Sequence, residues 1–299
     1  YPFIGMFVKS ADGGMWRIAW CNAGDQMAQM PADDLARYCV TETRNPWDPF
    51  GGASGWYTFD KPNYKLTVKV TIDGYNAKAP FSAPTDKVMN MGFLYNEHTH
   101  IIVNANSDIY SVEDLKGKNC TTFAKGNTAE VIFRDILSVY GMTYADLGSI
   151  NYSNLNDMGE QFKDGLTDCL CFASALPVSV VLDIASSRDI RLISIPDDKM
   201  EALREVSPAY MRQVIPAGTY EGVDEDCLTM GNAQHMIVSS DLDEEFVYQM
   251  TKAIVEELEL IGQGHAVYAN LTVEDMAQDL GIPMHPGAER CYREIGVIE

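Results

Sequence analysis

The middle of the chain alternates short apolar runs with segments of helical period. His100-Ile101-Ile102-Val103 reads as a short buried strand, and Ser111-Val112-Glu113-Asp114 as a capping box for one helical turn that Gly117 stops. Asn119 to Phe123 has strand content, and a helix is expected from Asn127 or Thr128. Its wide apolar face is Val131, Ile132, Ile136, Leu137 and Val139, and Gly141 follows it. Leu155, Met158 and Phe162 predict a second helix closed by Gly165, and Thr167 to Ala173 a strand. Ser174-Ala175-Leu176-Pro177 reads as the start of the next helix, because Pro in a first turn loses no internal hydrogen bond.

Ile190 to Ile195 is expected as a further strand, and Ile215 to Tyr220 as a connection broken by Pro216 and Gly218. Cys227 to Val238 is expected to return the chain to its first lobe. Asp241 with Glu244 then caps a helix whose buried stripe is Val247, Met250, Ile254 and Leu258. Thr272 with Asp275 starts a shorter helix that Gly281 ends. Strands alternating with helices point to an α/β sheet rather than a bundle or sandwich.

The first hundred residues are punctuated by Pro46, Pro49, Pro62, Pro80 and Pro84, which prevents one continuous element. Gly13-Gly14-Met15-Trp16 precedes an expected helix, Gly51 to Gly55 forms a polar loop near Trp56 and Tyr57, and Lys65 to Ile72 alternates as a strand. The sequence shows no internal repeat and no heptad.

At 299 residues and 46% apolar content the chain is long enough for two cores, and two lobes are expected. Its 43 acidic and 22 basic residues give a net charge of −21, which argues against nucleic-acid backbones and anionic lipid as partners. An anionic ligand is still compatible, since a pocket can receive a carboxylate on backbone amides. No apolar run is long enough to span a membrane. The chain begins Tyr1-Pro2 without an initiating Met, which leaves room for a removed export signal. Seven scattered cysteines are too few for a disulfide scaffold.

The sequence holds no phosphate loop of the G-x-x-x-x-G-K-S/T type, no G-x-S-x-G elbow, no H-E-x-x-H helix and no EF-hand series. His98-x-His100 with Glu97 does not close a metal shell, and Cys169-x-Cys171 reads as core packing on one strand face. Asp168, His235, His265 and His285, with Ser54 or Ser174, are ingredients of acid/base or nucleophilic chemistry without a constellation. Trp47, Trp56, Tyr57 and Phe59 have the character of a wall for a small-molecule cleft. Gly126, ahead of the Asn127 helix, exposes amides suited to an anionic group.

The ending Pro283-Met284-His285-Pro286-Gly287-Ala288-Glu289-Arg290-Cys291-Tyr292-Arg293-Glu294 resembles that of the TAXI-type solute-binding proteins of tripartite ATP-independent periplasmic (TRAP) transporters. The resemblance extends through Val112 to Lys118, Gly126-Asn127-Thr128-Ala129-Glu130, Ala173 to Pro177 and Ile215 to Tyr220, and more loosely to the Gly13 and Gly51 stretches. It implies an α/β, two-lobed type II periplasmic binding-protein fold with a hinge and an interlobe ligand cleft. Lobe one would be residues 1–102 and 232–299, and lobe two residues 103–231.

The resemblance further implies ligand contacts from Gly14, Trp16, Gly52, Ser54 and Trp56 on one side and from Asn127, Thr128, Ala173 and Leu176 on the other. The implied function is capture of a small carboxylate or amino acid and its delivery to TRAP membrane subunits. It requires no cofactor, no metal and no bond chemistry, and it places the protein in the periplasm or otherwise outside the cytoplasm. Arg290 is expected to pair with Glu289 or another carboxylate and anchor the tail. Two other classes stay open: a cytoplasmic enzyme on a two-lobed α/β scaffold, and a ligand-sensing interaction module.

Overall fold

The structure is a computed structural model that describes residues 65–78 and 83–299, and before them the backbone of the strands at 4–9 and 15–20. These two strands, β1 (Ile4–Lys9) and β2 (Met15–Trp20), pair antiparallel with Lys9 opposite Met15. The helix expected after Gly13-Gly14 is therefore a strand. Met15-Trp16-Arg17-Ile18-Ala19-Trp20 is rich in aromatic and β-branched residues, and every one of its positions faces a β1 residue.

The strand expected over Lys65 to Ile72 is only β3 (Lys65–Thr67), followed by the helix α1 (Val68–Tyr75). The segment satisfies both periods, since Val68 and Ile72 are four apart and buried while Lys69 pairs with Asp73 at 2.6 Å. Thr67 decides for the helix by accepting the Val70 amide on its hydroxyl.

Next come β4 (Val88–Asn104), a 3₁₀ turn at Val112–Leu115 with the expected Ser111/Asp114 box, β5 (Asn119–Thr122) and α2 (Thr128–Val139). They lead to β6 (Ser149–Tyr152), α3 (Leu155–Lys163), β7 (Cys169–Ser174), α4 (Ser179–Ala185) and β8 (Ile190–Leu192). The helix expected at Pro177 starts two residues later, after Val178, whose backbone is extended and whose amide donates to the Tyr220 hydroxyl. The run closes with α5 (Asp197–Val206), β9 (Met211–Ile215) and β10 (Cys227–Ser239), then α6 (Glu244–Glu256), α7 (Leu258–Gly264), α8 (Val273–Met276) and α9 (Pro286–Glu294). The α6 cap is Asp243, which accepts the Phe246 amide, rather than Asp241, and Leu258 belongs to α7.

The chain divides into two compact units, residues 1–95 with 234–299, and residues 96–233, and crosses between them within β4 and within β10. In the 96–233 unit the strands lie in the order β10-β4-β7-β5-β6. Strands β5, β6 and β7 are parallel, and β4 runs antiparallel to β7. Each sheet face carries its own core. Ile101, Cys120, Cys171 and Met230 pack against Ile132, Phe133 and Ile136 of α2 on one face, and Ile102, Leu170 and Phe172 pack with α3 and α4 on the other.

In the other unit, Met91, Leu94, Met236 and Val238 pack with α6 and α9. The C-terminal motif that stands out in the sequence builds this packing. The His285 ring accepts the Gly287 amide and caps α9, and Tyr292 donates to the Met91 carbonyl at 2.9 Å. Arg290 bonds Glu244 and Glu245 of α6, at 2.9 and 2.5 Å, and stacks 3.9 Å over the Tyr248 ring, while Glu289 takes Arg293 instead. Gly287 lets the two helices approach, because a Cβ there would lie 2.2 Å from the Glu244 carbonyl oxygen and 2.6 Å from the Tyr248 nitrogen.

Gly287→Ala is therefore expected to destabilise the protein by about 1–3 kcal/mol or more. Urea unfolding checks this, and an unchanged midpoint would contradict the close helix approach.

Candidate functional site

In an open α/β sheet, ligands bind outside the carboxyl ends of the parallel strands, where helix N-termini also point. In the 96–233 unit that end is formed by Thr122, the last residue of β5, by Ala173 near the end of β7, and by the loop into α2. Strand β4 contributes Thr99, which lies opposite Ala173, and β10 reaches the same place because the Thr229 hydroxyl donates to the Thr99 carbonyl at 2.7 Å.

Residues two apart on a strand share a face. Thr99, Thr122 and Asn232 are each two positions from a residue of the α2-side core, namely Ile101, Cys120 and Met230. Three buried polar side chains thus share a face with that apolar core. Thr99 is 1% exposed and Thr122 and Asn232 are 0% exposed. Thr99 Oγ1, Thr122 Oγ1 and both Asn232 Oδ1 and Nδ2 are buried without a hydrogen-bond partner. Each such atom costs about 1–3 kcal/mol if left unmet.

The start of α2 is held from within. Gly126 adopts φ +87°, a left-handed conformation that suits Gly, and its amide donates to Glu130 Oε2 at 3.0 Å. The fully buried Glu130 carboxylate also binds Arg134 at 2.9 Å and the Tyr144 hydroxyl at 3.1 Å. Burial beside this carboxylate pushes the Tyr144 phenol well above its ordinary range. The Asn127 side chain caps α2 by accepting the Ala129 amide at 2.9 Å, which leaves the half-buried Thr128 as its first residue.

Of the residues singled out from sequence, Asn127, Thr128 and Ala173 come to this one end of the sheet. Leu176 packs against the core of the opposite face. Trp16 lies in β2, of which the backbone alone is described, and Gly14, Gly52, Ser54 and Trp56 lie outside the described residues. Thr99, Thr122 and Asn232 were not singled out. Their signal is a polar residue at an inward position, and in Asn232 a residue type that strands disfavour.

His100, His235 and His285 are occupied with structure, while His98 Nδ1 is buried without a partner. His100 donates from Nδ1 to the His98 carbonyl and accepts the Tyr220 hydroxyl on Nε2, at 2.9 and 2.8 Å. His235 lies between Thr71 and Asn90, at 2.9 and 3.0 Å, in a hydroxyl–imidazole–amide line whose hydroxyl is itself buried. His285 accepts the Gly287 amide on Nδ1 and donates from Nε2 to the Leu242 carbonyl, both at 3.2 Å. The Gly287 amide needs a bare Nδ1, so the His285 ring is neutral in the fold. Cys120, Cys169 and Cys171 are buried in the α2-side core, and burial helps push the Cys169 and Cys171 thiols up. Among the described residues no group of three or more His, Cys, Asp and Glu side chains is placed to hold a metal ion, and no helix is long and apolar enough to cross a membrane.

Residues 65–296 match the sequence profile of the NMT1-like family. The chain belongs to the NMT1-like family. Among solved structures, this NMT1-like protein is similar to the periplasmic aliphatic sulphonate binding protein SsuA from Escherichia coli, at 15% identity and TM-score 0.38, over 77% of this chain and 64% of that one. A putative periplasmic sulfonate-binding protein from Methylobacillus flagellatus is 14% identical with TM-score 0.42, covering 97% of this chain and 75% of its own. A TctC solute binding protein from Polaromonas is 12% identical with TM-score 0.44, covering 81% and 73%.

Burial draws His98 down to about 4, His100 to about 3 and His235 to about 4, and it lowers His285 as well, all from an ordinary 6.5. The unfolded chain then binds protons below about pH 6.5 that the folded chain refuses, so stability rises with pH across this window and is lost as pH falls through it. The urea midpoint at pH 5 is expected to lie clearly below that at pH 7.5. Equal midpoints would contradict histidines held neutral by burial.

Proposed function

We propose that this NMT1-like protein is an extracytoplasmic solute receptor that captures a small carboxylate or amino acid and passes it, unaltered, to the membrane subunits of a TRAP-type transporter. The observation that carries the reading is the convergence of Thr122, Ala173 and the α2 N-terminus at the carboxyl end of the parallel strands. A carboxylate there is also favoured by the α2 dipole.

Asn127, Thr128 and Ala173 are the proposed contacts at this end, with Thr122 added. Gly14, Trp16, Gly52, Ser54, Trp56 and Leu176 enter the proposal through the family resemblance. The transporter type rests on the Pro283 to Glu294 ending and the Gly126 to Glu130 segment. The net charge of −21 fits neither a nucleic-acid ligand nor an anionic lipid surface.

Calorimetry against a panel of small carboxylates and amino acids tests the capture step. Thr122→Val is expected to weaken the ligand it identifies about tenfold, while leaving the unliganded protein as stable or up to about 1 kcal/mol more stable. Unchanged affinity in the variant would remove Thr122 from the site. Uptake by vesicles carrying the partner membrane subunits is expected to need this receptor and no ATP, and an ATP requirement would overturn the TRAP assignment.

A further inference from the structure

Tyr220 is 1% exposed and belongs to the connection between β9 and β10, yet its hydroxyl serves two other elements. It accepts the Val178 amide at 3.1 Å and lies 2.8 Å from His100 Nε2. His100 is fully buried on β4. Its ring stacks on that of Phe172 with centroids 5.0 Å apart, and its Nδ1 donates to the His98 carbonyl at 2.9 Å. Burial keeps the ring neutral, so with Nδ1 engaged by the carbonyl, Nε2 is bare and takes the phenol proton. The hydrogen bonds therefore run one way, from the Val178 amide through Tyr220 and His100 to the backbone of β4.

Val178 ends the loop that leaves β7 at Ser174 and enters α4 at Ser179. The ladder fixes the start of this loop, where Ser174 lies opposite His98. Pro177 has no amide to give, so the Val178 amide is the first backbone donor after Leu176 that can hold the far end. The Val178 side chain is buried in the same core as Phe172 and Tyr220. Ala173 and Leu176, two of the proposed ligand contacts, belong to the stretch held between these anchors. Both partners of the Tyr220 hydroxyl are protein groups, so Tyr220 acts on that stretch through the Val178 amide.

We propose that Tyr220 is a positioning residue of the receptor, which sets the β7–α4 loop in the conformation that a ligand meets. The proposal rests on the receptor reading. A loop released to sample other conformations is competent for only a fraction of the time, and the apparent affinity falls by that fraction. The loss is the same for every ligand, because Tyr220 touches none of them.

The test is Tyr220→Phe, which removes the hydroxyl and keeps the ring. In the unliganded variant, amide hydrogen exchange at Ala175, Leu176 and Val178 is expected to accelerate at least about tenfold, with the amides of β5 and α2 unchanged. In calorimetry with glutamate, alanine, succinate and pyruvate, every compound that binds the wild-type protein is expected to bind the variant about tenfold more weakly, by a common factor. Ile184→Val trims a fully buried side chain of α4 and is expected to lower the urea midpoint while leaving both readouts unchanged.

Unchanged loop exchange in Tyr220→Phe, or affinity equal to wild type, overturns the positioning role and leaves the receptor reading intact. A loss that differs from ligand to ligand makes Tyr220 a contact and overturns the role as well, as does an equal loss in Ile184→Val. Should Tyr220→Phe fail to fold, the wild-type protein decides. A Val178 amide that exchanges as slowly as the core amides of β7 supports the role, and one that exchanges like an exposed amide overturns it. Wild-type protein that binds none of the four compounds overturns the proposal together with the ligand class on which it rests.

Discussion

Removing a hydroxyl or amide from water without giving it a partner costs about 1–3 kcal/mol, a sizeable share of the 5–15 kcal/mol by which a typical domain is stable. Much of this protein's polar interior meets that constraint. Glu130 gathers an amide, a guanidinium and a phenol, Arg191 is wrapped in carbonyls, and His100, His235 and His285 each have both ring nitrogens hydrogen-bonded. Against that background, Thr99 Oγ1, Thr122 Oγ1 and both polar atoms of Asn232 are buried without a partner, as are Asn96 Oδ1 and His98 Nδ1 on β4.

The rest of the 96–233 unit serves to hold the carboxyl end of its parallel strands in place. Parallel pairing of β5 with β6 and β7 brings Thr122 and Ala173 to the same side of the sheet, and the antiparallel β4 returns Thr99 to it. The apolar stripe of α2, which seats Ile132, Phe133 and Ile136 on the sheet, fixes where its N-terminus points. Glu130 already engages the Gly126 amide. The proposed ligand site therefore depends on the Thr128 end of the helix and on the strand side chains.

The sequence is most legible where the local signal and tertiary packing agree. The α2 stripe with its Asn127 cap, the Ser111/Asp114 box and the Thr272/Asp275 box are formed where the pattern expects them. It misleads where one segment satisfies two periods, as over Lys65 to Ile72, and where a cap has a rival two residues away, as Asp243 has in Asp241. Helix α9 has its own signal, His285 before Pro286 at the first turn, and its Arg290 is expected to pair with a carboxylate and anchor the tail. In the fold it ties α9 to α6 through Arg290, Gly287 and Tyr248. Thr99, Thr122 and Asn232 are the least legible, because being without a partner is a property of three-dimensional neighbours and leaves only a faint mark on the sequence.

The most direct measurement is native mass spectrometry of gently purified protein, followed by denaturation and identification of whatever is released. A stoichiometric small organic molecule, lost on denaturation and retained less by Thr122→Val, is the predicted result. Protein that is empty as purified and stays empty when offered the full panel of small carboxylates and amino acids would contradict a ligand site at the end of this sheet.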